Sequence, residues 1–241
     1  MRDEVLNLGF SRAAESERTI HTARTEPELV AGRQRSGWTP QNFAREQIRG
    51  LVRQVFFSDP VRPVRQIVLS AIDPETNVRN ICRKIGETLI LETTGSVAVI
   101  GAYPQIFRKP ESGETNRENL EDQSSPLRRQ AIRVRGNLWL VGAPDTDGDR
   151  NSTATLQSYL GAVRTEFEYS ILESPPAGES DLATAMAQFA DGVILVLSAN
   201  RTRRFRARRI QQTLENAKAR LLGTVLSDRQ FPIPESIYRR L

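Results

Sequence analysis

Hydrophobic and polar positions divide the chain into a polar beginning and a patterned remainder. Residues 1 to about 40 are rich in Arg, Glu, Thr and Ser with no sustained apolar period. Such a stretch buries too little apolar surface to offset the entropy of ordering it, so a flexible N-terminal arm is expected there. From Pro40 the pattern changes: Phe43, Gln47, Ile48, Leu51, Val52 and Val55 recur at helical spacing and stop before the breaker Ser58-Asp59-Pro60. Gln66 to Ala71 is an apolar run of strand length, and after Asp73-Pro74 the residues Val78, Ile81, Cys82, Ile85 and Leu89 return to the helical period.

Further strands are predicted at Ser96 to Ala102, Leu138 to Val141, Tyr169 to Glu173, Gly192 to Leu197 and Leu222 to Leu226. Helices fit Thr153 to Thr165, Asp181 to Phe189 and Thr202 to Ala219, the last with the stripe Ile210, Leu214, Ala217 and Leu221. The stretch from about Pro104 to Arg135 is charged and reads as a long surface loop. Continuous apolar strands alternating with helices indicate an α/β domain with a doubly wound, mostly parallel sheet covered on both faces. The expected organisation is an arm over residues 1–40 and one domain over 41–241 carrying a charged loop at about 104–135.

Composition narrows the chemistry. The 241 residues are 38% hydrophobic, enough for a sizeable core. The longest apolar stretches, such as Gly192 to Ala199, fall far short of the roughly 20 residues that cross a bilayer, and the N-terminus has no apolar signal region, so a soluble, intracellular protein is expected. One cysteine, Cys82, forbids an internal disulfide and a multi-cysteine metal site; the one histidine, His21, lies in the polar arm. The net charge of +5, from 34 basic and 29 acidic residues, is too modest to make the chain a nucleic-acid binder by itself.

In a doubly wound sheet, ligands bind at the carboxyl ends of the strands, and the first strand-to-helix turn is the natural phosphate cradle. A working phosphate loop needs glycines that let backbone amides curl round the phosphates, a lysine for the terminal phosphates and a Ser or Thr hydroxyl for magnesium. Here the turn reads Ser70-Ala-Ile-Asp-Pro-Glu-Thr-Asn-Val-Arg79, and all three are missing from their places.

The segment from Glu46 to Leu89, followed by Val97 to Tyr103, resembles the bacterial tyrosine kinases of capsule and exopolysaccharide synthesis, relatives of the MinD and ParA ATPases with the phosphate-loop NTPase fold. Their pattern runs from a Glu-x-x-Arg helix through a strand, a Pro-Gly-Glu-Gly-Lys-Ser/Thr loop and a helix to a strand ending Asp-Ala-Asp. On that pattern Asp73 to Val78 occupies the nucleotide-binding loop, with Pro74 and Thr76 at the glycines, Asn77 at the lysine and Val78 at the hydroxyl. Glu75 alone matches. Gly101-Ala102-Tyr103 replaces Asp-Ala-Asp, so Gly101 and Tyr103 stand where two carboxylates would be, while Leu172-Glu173-Ser174-Pro175-Pro176 resembles Asp-Thr-Pro-Pro with Glu173 for aspartate. Asp181, Phe189 to Leu197, Thr202 and Leu222 to Leu226 follow the second half of the pattern, and the resemblance covers roughly residues 44 to 228.

The resemblance implies ATP and magnesium as the family's cofactors, but with the gripping residues replaced neither is expected here. Losing one hydrogen bond to a charged group costs roughly 1.5 to 3 kcal/mol, so the absent lysine alone weakens nucleotide binding about 10- to 100-fold. No catalytic residue is therefore expected, and the implied role is that of a pseudokinase-like regulatory or scaffold component of polysaccharide assembly. An active ATP-dependent tyrosine kinase in which Arg79 or another arginine stands in for the lysine is the enzyme alternative. The implied partner is a membrane-embedded polysaccharide chain-length or co-polymerase protein that docks through its cytoplasmic tail, which would hold the chain at the inner face of the membrane.

Three further clusters carry candidate contacts. Glu46 and Arg49 match the first two members of the family's Glu-x-x-Arg-x-x-Arg oligomer motif, with Val52 at the third and Arg53 one residue out of register, leaving a homo-oligomer and a solvated helix face both open. Arg201, Arg203, Arg204, Arg206, Arg208 and Arg209 crowd the start of a helix, where cations oppose the dipole. They are either solvated or held for an anionic partner, and a ParA-like nucleic-acid or membrane-surface adaptor is the reading they open. Tyr238, near the C-terminus, is a candidate phosphoacceptor or a packing anchor. Cys82 on its helix stripe reads as a small core residue.

Overall fold

The computed structural model describes residues 39–101, 127–128, 131–143 and 153–228. Almost all of the N-terminal arm, His21, Tyr103, most of the charged loop and Tyr238 lie outside the described residues.

Five helices and seven strands are described: α1 (Pro40–Phe56), β1 (Gln66–Ala71), α2 (Val78–Glu92), β2 (Val97–Gly101), β3 (Ile132–Arg135), β4 (Leu138–Gly142), α3 (Thr153–Glu166), β5 (Tyr169–Glu173), α4 (Leu182–Phe189), β6 (Gly192–Ser198), α5 (Arg204–Asn216) and β7 (Leu221–Ser227). The strands form one sheet in the order β3-β4-β2-β5-β1-β6-β7. All neighbours are parallel except β3 and β4.

The inner strands β1, β2 and β6 read as largely apolar runs because both faces are covered. Along β1, Ile67, Leu69 and Ala71 join the core beneath α1 and α2, while Val68 and the following Ile72 join the core beneath α3, α4 and α5. Successive side chains point to opposite faces, and here both faces are dry. Gly86 lets α2 lie tight on the sheet: a Cβ there would come within 2.7 Å of Val99 Cγ2. Asp191, just before β6, accepts from the Arg65 and Gln66 amides at 2.8 Å each and from Arg164 at 3.0 Å, pinning the start of β1 to its neighbour.

Two sequence expectations need correction. The charged loop does not extend to Arg135, because Ile132–Arg135 is an edge strand that returns to β4 through a two-residue turn at Gly136, whose φ is +53°. All four residues of β3 are exposed, so alternation with arginines left no buried stripe to reveal the strand. The last helix begins at Arg204 rather than Thr202 and ends at Asn216. Thr202 belongs to the preceding turn, and Lys218 adopts φ +57°, which breaks the helix before Leu221, a residue of β7.

Candidate functional site

The β1–α2 turn forms one wall of a cleft of about 270 Å³ at the carboxyl end of the sheet. Ala71, Pro74, Thr76, Asn77, Val78 and Arg79 line it from one side, and Glu173, Ser174 and Pro176, from the end of β5, line it from the other. Position follows from topology: β5 and β1 are parallel neighbours, so their carboxyl ends open side by side.

Most polar groups of the turn have an internal task. Asn77 is the N-cap of α2, its Oδ1 accepting from the Asn80 amide at 3.1 Å. The Thr76 amide donates to the Asp73 carbonyl at 3.2 Å, and Pro74 has no amide proton to offer. Asp73 reaches across to the β6–α5 connection, where Thr202 Oγ1 donates to its Oδ2 at 2.6 Å and Arg206 Nη1 to its Oδ1 at 2.7 Å. Thr202 in turn accepts from the Ser198 amide at 2.8 Å, and Glu75 pairs with Arg201 at 2.8 Å. Partial burial pushes the Asp73 carboxyl up, but the hydrogen bonds from Thr202 and Arg206 and the guanidinium charge outweigh it and hold the group below the usual carboxylate range.

Deeper in, Glu173 is only 6% exposed and faces the Arg79 Nε at 3.5 Å. Cys82, fully buried on α2, has its thiol pushed up by burial and by the Glu173 charge. The Thr76 hydroxyl is buried with no hydrogen-bond partner among the described residues, and the residue is 7% exposed. Ser70 and Ser174 both donate to the Pro175 carbonyl, at 2.8 and 3.0 Å, which fixes the β5 end against β1. Gly178 closes that contact, since a Cβ there would stand 2.6 Å from the Ile72 carbonyl oxygen.

The structure thus brings Asp73, Pro74, Glu75, Thr76, Asn77, Val78 and Glu173 around one cleft or its rim. Asp181 is elsewhere, as the N-cap of α4 with no side-chain cap bond, and Gly101 ends β2 in a buried position without a side chain to contribute. Glu46 and Arg49 pair with each other at 2.9 Å; Arg49 and Arg53 both reach Glu92 at the end of α2, at 3.4 and 3.1 Å, so the out-of-register arginine ties α1 to α2. All six clustered arginines are exposed; Arg201 and Arg206 pair with the turn, whereas Arg203, Arg204, Arg208 and Arg209 form no ion pair with another described residue. Sequence reading did not assign the roles of Thr202 and Gly178, which depend on contacts across the sheet; the glycine following Pro175-Pro176-Ala177 was the available signal for a close approach. Among the described residues no three His, Cys, Asp or Glu side chains gather as a metal site requires, and no helix is long and apolar enough to cross a membrane.

No protein-family model matches the chain. Over 93 residues, 36% of the chain, it is 32% identical to the tyrosine-protein kinase CpsD of Streptococcus agalactiae serotype III (strain NEM316), and a second CpsD of that species is 30% identical over the same length. The matched stretch spans 40% of the serotype III protein. Among solved structures, the kinase domain of the Escherichia coli tyrosine kinase ETK aligns with a TM-score of 0.61 at 13% identity, covering 79% of this chain and 80% of that one. The MinD cell division protein of Aquifex aeolicus aligns at 0.52 and 17% identity, covering 73% and 72%. The chain therefore has the phosphate-loop NTPase fold of the bacterial tyrosine kinase domains and MinD, and over about a third of its length its sequence is related to the CpsD tyrosine kinases.

Proposed function

We propose that this chain is a non-catalytic, pseudokinase-like relative of the bacterial tyrosine kinases that serves as a regulatory or scaffold component of exopolysaccharide or capsule synthesis. The observation that carries the reading is the engagement of the β1–α2 turn with its own protein. Asn77, at the lysine position, caps α2; Pro74 removes an amide; the Thr76 amide closes the turn; and Asp73 is held by Thr202 and Arg206. These residues are a poor fit to a magnesium-bound triphosphate: they supply no ammonium group, Val78 stands at the position of the metal-binding hydroxyl, and they add carboxylates where phosphates would bring more negative charge.

Phosphoryl transfer depends on positioning and charge stabilisation of the transferred group, so the loss of both partners removes most of what the fold could contribute to it. The partner suited to such a role is the cytoplasmic tail of a membrane-embedded polysaccharide co-polymerase, with self-association through the Glu46 and Arg49 face as a further proposed contact. Calorimetric titration of the purified chain with ATP and magnesium tests the reading, and the expected result is no saturable heat at millimolar nucleotide. Metal-dependent binding in the micromolar range would overturn it in favour of an atypical kinase. The presence of Arg79 in the cleft favours that rival, in which case Arg79→Ala abolishes the binding.

A further inference from the structure

The four arginines of the cluster that do not tie down the turn present a separate surface. Arg203, Arg204, Arg208 and Arg209 are exposed and form no ion pair with another described residue. Among them stands Phe205, 79% exposed. Ile210 and Leu214 are the buried side of α5, and by helical geometry Arg204, Phe205, Arg208 and Arg209, at i, i+1, i+4 and i+5, share the opposite face. This end of the helix is poorly arranged for its own stability. The N-cap is Arg203, which makes no side-chain cap bond, the first turn has no acidic residue, and cations there oppose the helix dipole. An exposed aromatic ring within unpaired guanidinium groups, kept at a cost to the free helix, is the composition of a contact surface for an anionic and partly apolar partner.

We propose that this face of α5 docks on an anionic lipid bilayer, with Arg204, Arg208 and Arg209 taking headgroup phosphates and Phe205 entering the interface between them. The patch is compact, extending from residue 204 to 209 or about 7.5 Å along the axis. The phosphates of a nucleic acid are fixed along its strand, so such a patch meets only one or two of them, and a lone phenylalanine offers no succession of stacking platforms. Lipids diffuse laterally, so each guanidinium can recruit its own headgroup. A ring at the headgroup level gains apolar contact without requiring a complementary pocket, which an acidic peptide would have to supply. The inference is independent of whether the cleft binds nucleotide.

The test is co-sedimentation of the full 241-residue chain with vesicles of phosphatidylcholine alone and with about one quarter phosphatidylglycerol, at about 0.1 M salt. Binding is expected to the anionic vesicles only. Each arginine near an anionic surface multiplies partitioning about fivefold, so the triple variant Arg204→Gln, Arg208→Gln, Arg209→Gln is expected to bind about 100-fold less. Phe205→Trp should show blue-shifted emission with anionic vesicles and not with neutral ones. The triple variant should keep or raise its melting temperature, since it relieves the dipole conflict; if it unfolds instead, the Phe205→Trp emission on otherwise unaltered protein decides. Absence of binding to anionic vesicles, binding unchanged in the folded triple variant, or tighter binding of duplex DNA or polyglutamate in competition with the vesicles overturns the proposal.

Discussion

Asp73→Ala is the substitution that most directly measures how firmly the β1–α2 turn is held closed. It removes two contacts, the 2.6 Å bond from Thr202 and the 2.7 Å bond from Arg206. Hydrogen bonds to charged groups contribute about 1.5 to 3 kcal/mol where they are shielded from water. Asp73 is shielded, with its side chain 17% exposed, but that of Arg206 is 57% exposed, so the ion pair itself is discounted to about 0.5 kcal/mol. The larger part falls to the Thr202 contact, giving a total of about 2 kcal/mol, or about 4 to 8 °C in melting temperature for a domain of this size.

The effect should depend on pH with a definite sign. The native Asp73 carboxyl titrates below its unfolded value, so its stabilisation is present above the unfolded pKa of about 3.9 and is lost as pH falls through the lower native value. The gap between the melting temperatures of the wild type and Asp73→Ala should therefore narrow as pH falls from 7 toward about 3. Arg206→Ala should lower stability by about 0.5 kcal/mol alone and by nothing in the Asp73→Ala background. Wild-type and Asp73→Ala proteins melting within about 1 °C of each other at pH 7, or a difference that persists unchanged at pH 3, would refute this account of the turn.

Thr76→Val exchanges a buried hydroxyl with no partner among the described residues for a methyl group of the same shape, and it should stabilise the protein by about 1 kcal/mol in urea unfolding; destabilisation would mean that the hydroxyl has a partner. Gly178→Ala places a methyl group against the Ile72 carbonyl, and forcing those segments apart should cost about 1 to 3 kcal/mol, read as a lower unfolding midpoint with unchanged slope. The Cys82 thiol, buried and pushed up by burial and the Glu173 charge, should resist alkylation in the folded chain at neutral pH and react fully in denaturant. Rapid native labelling would show that α2 opens readily.

The sequence alone determined most of the scaffold. Burial on both faces of a parallel sheet makes an inner strand a largely apolar run, and β1 and β5 were legible to the residue for that reason. Helical periodicity likewise located α1 and α2, because each presents a single apolar stripe to one core. The missing glycines and lysine of the first turn were also plain, being a property of local sequence against the resemblance. β3 was not legible, since all its side chains face solvent and only hydrogen bonding to β4 makes it a strand. Tertiary structure alone decided what Asp73 and Glu75 do. Their arginine and threonine partners lie 126 to 133 positions away in sequence, and they meet only because β6 lies beside β1 and delivers the start of α5 to the same end of the sheet. The same placement divided one run of exposed arginines into two that clamp the turn and four that form no ion pair with a described residue, a division invisible in sequence because charge is read locally while partners are assigned by the fold.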